Sequence, residues 1–258
     1  MSMAPIIKMD RVQKRYGQSV LAVESMSVSI RQGEFVTFLG PSGCGKSTAL
    51  KMIAGLLPVT AGTITISPPD KKSEQDLAFV FQEPTLMPWA TVFNNVYLPL
   101  RLAGIDRATA EPRVHAALID VGLSRFEKSY PRELSGGMKM RVSIARAMVT
   151  KPRILLMDEP FAALDEMTRS KLNNDVVRIA SQNGLTVVFV THSVFESVYL
   201  SNRVIVMAAR PGRVAAELEL TAAWPRNEDY RISPDFSNEC RRVSETLKRT
   251  LNADDIDR

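Results

Sequence analysis

The apolar positions of this chain change their spacing twice. In the first third they form short, nearly continuous runs rich in β-branched and aromatic residues. Glu34-Phe35-Val36-Thr37-Phe38-Leu39 follows the turn Arg31-Gln32-Gly33 and stops at a glycine, and Thr63–Ile66 and Leu77–Phe81 repeat the pattern. Such runs predict strands. Lys46–Ala54 interrupts them with helical composition, closed by Gly55,. Ser67-Pro68-Pro69-Asp70-Lys71-Lys72 reads as a loop,.

From Thr91 to Thr150 the spacing becomes helical, over Thr91–Ala103, Ala108–Val121 and Gly137–Thr150,. Strand signals then return at Ile154–Met157, Thr186–Val190 and Val204–Met207, with helical stretches at Glu166–Gln182 and Ser193–Leu200 between them. Strands alternating with helices predict an α/β fold with a mainly parallel, helix-covered sheet. The helical block between strands predicts an inserted subdomain at about residues 85–150 of a domain spanning 1–220. Residues 221–258 form a polar tail of mixed charge, with a helix expected near Asp235–Leu251. No internal repeat and no low-complexity segment is present.

Composition narrows the class without choosing a function. The 258 residues, 45% hydrophobic and 24% charged, are those of a soluble globular chain of one large or two small domains,. Lys and Arg number 33 against 28 acids, a net charge of +5, too small an excess to name a partner,. Cys44 and Cys240 are the only cysteines. They make no disulfide framework or thiolate metal site, so a reducing compartment is expected. Residues 1–10 lack the apolar core of a secretory leader, and no apolar run reaches the ~18 residues of a spanning helix,. The chain is therefore not expected to enter or cross a bilayer by itself.

Chemistry enters at Gly40-Pro41-Ser42-Gly43-Cys44-Gly45-Lys46-Ser47-Thr48, which fits G-x-x-x-x-G-K-[ST] between an expected strand and an expected helix,. Glycines let successive backbone N–H groups curl around phosphate oxygens, and the helix N-terminus adds a favourable dipole. Lys46 would reach the β- and γ-phosphates and the Ser47 hydroxyl would bind Mg²⁺. Cys44 at a helix N-terminus allows a reactive thiol; a filler of a variable loop position is the preferred reading.

A second strand, Ile154-Leu155-Leu156-Met157, delivers Asp158 and Glu159 to its tip. Beside a phosphate cradle, Asp158 would hold Mg²⁺ and Glu159 would orient or deprotonate an attacking water. About ninety residues after the cradle, Leu134-Ser135-Gly136-Gly137 opens another helix. That is either an ordinary serine N-cap or a second anion-seeking helix start.

Gly40–Ser47, Gln82, Leu134–Gly137, Ile154–Glu159, Asp165 and His192, in this order and spacing, resemble the ATPase subunit of an ABC transporter over roughly Ile6 to Val214. The Leu-Ser-Gly-Gly stretch is the specific part. The resemblance implies a P-loop NTPase fold with an N-terminal antiparallel β-subdomain, ATP and Mg²⁺ as cofactors, and two chains paired so that Ser135, Gly136 and Gly137 of one meet the nucleotide on the other's cradle. It further implies that Tyr16 stacks on adenine, Gln82 senses Mg²⁺ and the attacking water, Asp165 crosses to the partner, and His192 contacts the γ-phosphate. Met138 and Met140 depart from commoner polar residues without touching the Ser135–Gly137 core.

The stretch Gln82-Glu83-Pro84-Thr85-Leu86-Met87-Pro88-Trp89 is either packed under the helical block or exposed as an interaction surface,. In the family it forms the groove for the membrane subunit. Together with Ala209-Arg210-Pro211-Gly212-Arg213, it is most similar to the nitrate/sulfonate/taurine branch, which also includes pyrimidine-precursor importers. The implied assembly is an ATPase homodimer at the cytoplasmic face of the cell membrane, bound peripherally to integral-membrane permease subunits and served by a solute-binding protein. No nucleic-acid partner is expected. The alternative is a soluble ABC ATPase acting on nucleic acid or ribosomes. Sustained heptads and a second cradle, which such proteins carry, are both missing from the sequence,.

Overall fold

The computed structural model describes residues 5–17, 19–68 and 76–250. In chain order the elements are β1 (Ile7–Tyr16), β2 (Val20–Ile30), β3 (Phe35–Leu39), α1 (Lys46–Ile53), β4 (Ala61–Ile66), β5 (Leu77–Val80), α2 (Val92–Leu102) and α3 (Arg107–Asp120). They continue with α4 (Gly136–Met148), β6 (Ile154–Asp158), α5 (Glu166–Asn183), β7 (Thr186–Thr191), α6 (Val194–Leu200), β8 (Arg203–Ala208), β9 (Arg213–Glu219) and α7 (Pro234–Thr250). Short 3-10 segments join some of them. Part of the loop expected at Ser67–Lys72, and Leu251 at the end of the last expected helix, lie outside the described residues. The chain divides into two compact units, residues 1–68 with 184–258, and residues 69–183.

The first unit holds two sheets. β2, β1 and β4 pair antiparallel in the order β2-β1-β4, the β-subdomain that the family resemblance implied. The register of β1 slips between Met9 and Val12, where Arg11 takes φ 47 and donates its N–H to Ser27 Oγ at 2.9 Å. This is the bend a β-bulge introduces. The other sheet runs β7-β3-β8-β9, with β9 antiparallel to β8 and the rest parallel. All of β3, β7 and β8 is buried, which is why these strands read as continuous apolar runs rather than alternating ones,.

Two polar features secure that sheet. At the N-terminal ends of its strands, Arg203 donates to Glu34 (2.8 and 3.1 Å), to Glu217 (2.6 Å) and to the Ser29 carbonyl (2.6 Å). The tail supplies the second. Trp224 Nε1 donates to the Leu200 carbonyl (2.8 Å), Arg242 to the Glu219 carbonyl (2.6 Å), and Thr221 Oγ1 to Glu239 (2.8 Å). These bonds, with the buried Phe236 and Val243, seat α7 on α6, β8 and β9.

In the second unit β5 and β6 pair in parallel, Val80 opposite Met157. The helices around them start where local chemistry says they should. Thr91, Asp106 and Ser135 each accept a backbone N–H three residues on, from Asn94 (3.3 Å), Thr109 (3.0 Å) and Met138 (3.3 Å),. Val96 and Leu100 of α2, Val114 and Leu118 of α3, and Met140 and Ile144 of α4 are buried. They form the apolar stripes that the helical spacing predicted. Arg141 of α4 pairs with Asp175 of α5 at 2.6 Å.

Candidate active site

In the first unit the loop Gly40–Gly45 leaves the C-terminal end of β3 and runs into α1. Gly43 and Gly45 sit at φ 78 and 86, a region L side chains rarely adopt, and a Cβ on Gly45 would meet the Ala22 carbonyl at 2.9 Å,. Glycine is therefore required at Gly45 on two counts. Lys46, 4% exposed, folds over the loop it belongs to, its ammonium donating to the carbonyls of Gly40 (2.8 Å) and Pro41 (2.9 Å). Ser47 and Thr48 follow in the first turn of α1. Cys44 is fully buried within the loop, and burial pushes its thiol pKa up, outweighing the nearby Lys46 charge. Burial therefore disfavours the thiolate, which fits Cys44 as a filler of the loop,.

His192 leaves the sheet beside this loop. β3 and β7 are parallel neighbours with Leu39 opposite Thr191, so Gly40 and His192 follow adjacent residues on the same edge. That edge, beyond the carboxyl ends of the strands, is where open α/β sheets bind ligands. His192 is exposed, and Ser193 behind it caps α6 through Glu196 N (3.3 Å). Tyr16, 45% exposed, ends β1 with the Lys14 ammonium 5.3 Å from its ring centroid.

In the second unit the strand ends repeat this logic. β5 and β6 finish side by side, so Gln82, exposed, and Asp158, 7% exposed, emerge at one edge. Glu159 stands next to Asp158 at φ 44. A non-glycine residue in the left-handed region is costly and concentrates where function over-determines the backbone.

Ser135 and Gly136 form the exposed N-terminus of α4. Gly137 behind them is buried against α5, where a Cβ would stand 2.5 Å from Thr168 Cγ2. Asp165 caps α5, accepting Thr168 N–H at 2.9 Å, and those hydrogen bonds hold its carboxyl below the usual range. A structural role for Asp165 is thus visible directly, and Leu164 next to it packs towards Gly136. The second unit brings together Ser135, Gly136, Gly137 and Asp165.

The segment after Gln82 resolves an alternative the sequence left open. Trp89 is 76% exposed, so it is no core residue. With Met87, Tyr97, Leu98, Arg101 and Arg107 it lines a cavity of about 420 Å³. Two residues the sequence reading passed over hold the segment in place. Asn95, fully buried, accepts Met87 N–H (2.8 Å) and donates to the Ala90 carbonyl (3.0 Å); Arg146 donates to Pro84 and Thr85. Nothing in the sequence neighbourhood of Arg146 marks its contacts, since its partners lie about sixty residues away.

Residues 23–162 match a family model described as ABC transporter. The chain is 45% identical over 236 residues to a putative ATP-binding protein of Brucella abortus biovar 1 (strain 9-941), covering 91% of this chain and 90% of that one. It is 46% identical over 209 residues to the Taurine import ATP-binding protein TauB of Rhizobium johnstonii, covering 80% and 79%. Among solved structures, it resembles the dimeric post-hydrolysis state of the ATP-binding cassette MJ0796 bound to ADP and Pi. There the TM-score is 0.73 and the identity 32%, over 84% of this chain and all of the other.

Proposed function

Since the chain belongs to the ABC transporter family and is an ATP-binding ATPase of it, we propose that it powers import of a small taurine- or sulfonate-like solute through separate permease subunits. It works as a homodimer at the cytoplasmic face of the membrane, residues 1–220 acting as the ATPase domain and 221–258 as its tail. Among the described residues no helix is long and apolar enough to cross a membrane, which fits a subunit that depends on separate permeases. The observation that carries the proposal is the exposed Ser135–Gly136 start of α4. It is a second helix end suited to phosphate in a chain whose one cradle already ends in α1.

In this reading Gly40–Thr48 wrap the phosphates with backbone N–H groups, and Lys46 turns from the loop carbonyls to the β- and γ-phosphates. Tyr16 offers its exposed ring to adenine. Ser47, Gln82 and the carboxylate Asp158 would hold Mg²⁺, an ion that hard oxygen donors of this kind suit. That ion would neutralise charge on the transferring phosphoryl group. Glu159 takes the proton of the attacking water, and His192 donates a hydrogen bond to the γ-phosphate. Ser135, Gly136 and Gly137 act on the nucleotide of the second copy and Asp165 lies at the same junction. ATP then closes the dimer by binding both sides, and hydrolysis removes that differential affinity. Trp89 and its cavity receive the permease.

Glu159→Gln tests the assignment. ATP binding is retained, turnover falls by about 100-fold or more as expected for a lost general base, and the variant accumulates as an ATP-dependent dimer in size-exclusion chromatography. Native turnover by that variant, or full-rate hydrolysis by a wild-type monomer, refutes it.

A further inference from the structure

The loop that carries Gln82 is gripped from α4. Arg146 lies in the last turn of that helix, and its guanidinium donates to the Pro84 carbonyl (2.8 Å), the Thr85 carbonyl (2.8 Å) and Thr85 Oγ1 (2.9 Å). Thr85 is β-branched and yet sits at φ 47. Its Cβ is crowded in that conformation, which persists only where the surroundings over-determine it. The rigid fork of Arg146, engaging two successive carbonyls and a hydroxyl, supplies that constraint. Removing the fork leaves three acceptors without their donor and a threonine free to relax to negative φ. Gln82 is three residues upstream of this turn.

The other end of α4 is Ser135. The ten to eleven residue steps from the Ser135–Gly136 tip to Arg146, at about 1.5 Å each, make a stiff rod of roughly 16 Å between the tip and the grip,. We propose that Arg146 is a positioning residue for Gln82, holding the Thr85 turn in its left-handed form so that α4 sets the strand end where Gln82 emerges. The proposal rests on the role given to Gln82 above. A displacement of α4 when Ser135–Gly137 engage phosphate is carried by Arg146 into the Gln82 loop, and a displacement of the loop is carried back.

The test measures ATP turnover and ATP affinity of the full chain. Arg146→Gln lowers turnover at saturating ATP at least tenfold while KM for ATP stays within twofold. Thr85→Gly added to Arg146→Gln restores turnover at least threefold, because glycine populates φ 47 without the Cβ crowding that drives threonine out of it. A role in stability alone gives a loss that follows the folded fraction by circular dichroism and that Thr85→Gly does not repair. Turnover of Arg146→Gln within twofold of wild type, or a loss unmoved by Thr85→Gly, overturns the proposal. Should Arg146→Gln fail to fold, Arg146→Lys, which keeps stem and charge and loses the fork, is read the same way. Gln82→Ala run in parallel separates the two failures. Wild-type turnover there removes the Gln82 role and this proposal with it. Impairment there with an active Arg146→Gln removes this proposal alone.

Discussion

Gly137→Ala sets two known effects against each other at one position. The residue lies in the first turn of α4, where alanine is the better helix former by about 0.8–1 kcal/mol,. Against this, the new Cβ stands 2.5 Å from Thr168 Cγ2, closer than real Cβ atoms come to any neighbour. Thr168 has only χ1 with which to yield, and its own N–H is already committed to Asp165,. Overpacking of this kind costs about 1–3 kcal/mol. The clash therefore wins, with a net loss of roughly 1–2 kcal/mol. Urea unfolding reads this as a lower midpoint at unchanged slope. Thr168→Ser removes Cγ2 and keeps the hydroxyl, so in the double variant most of the loss disappears and the pair is coupled. Gly136→Ala is the control, because its Cβ meets Leu164 Cδ2 only at 3.4 Å, an ordinary contact. Gly137→Ala as stable as wild type, or equally destabilised with and without Thr168→Ser, refutes the reasoning.

Arg203→Met strands Glu34, whose side chain is 7% exposed, and should cost about 3–5 kcal/mol, whereas Glu34→Gln with Arg203→Met costs much less,; equal losses in thermal melts reject the buried-pair account. Asp106 and Asp165 both have carboxyl pKa values lowered by hydrogen bonds to Thr109 and Thr168. Their contribution is complete above the ordinary value of 3.8 and lost as pH falls through the depressed folded-state values,. Stability of wild type then drops more steeply as pH falls below about 4 than that of the Asp106→Asn/Asp165→Asn double variant, measured by urea midpoints; parallel curves contradict it,.

What could be read from residues alone was whatever is encoded locally. The wholly buried strands β3, β6, β7 and β8 announce themselves as apolar runs. Helix starts carry their caps with them at Thr91 and Ser135, and the Gly40–Ser47 cradle is one contiguous stretch whose Gly43 and Gly45 are needed by their own backbone angles. Folding in three dimensions decided the rest. Trp89 was equally compatible with core or surface until its neighbours were placed, because a hydrophobic residue in a proline-flanked loop has no period to report its burial. Asp165 is read, from the family resemblance, as a residue that crosses to the partner, and the contact the fold supplies for it is the cap of α5. The Arg203–Glu34 pair and the Arg146 grip on Thr85 join residues 169 and 61 positions apart. Such contacts leave no mark in a single chain's pattern, since spacing along the backbone records which face of an element is apolar and not which distant group will meet it.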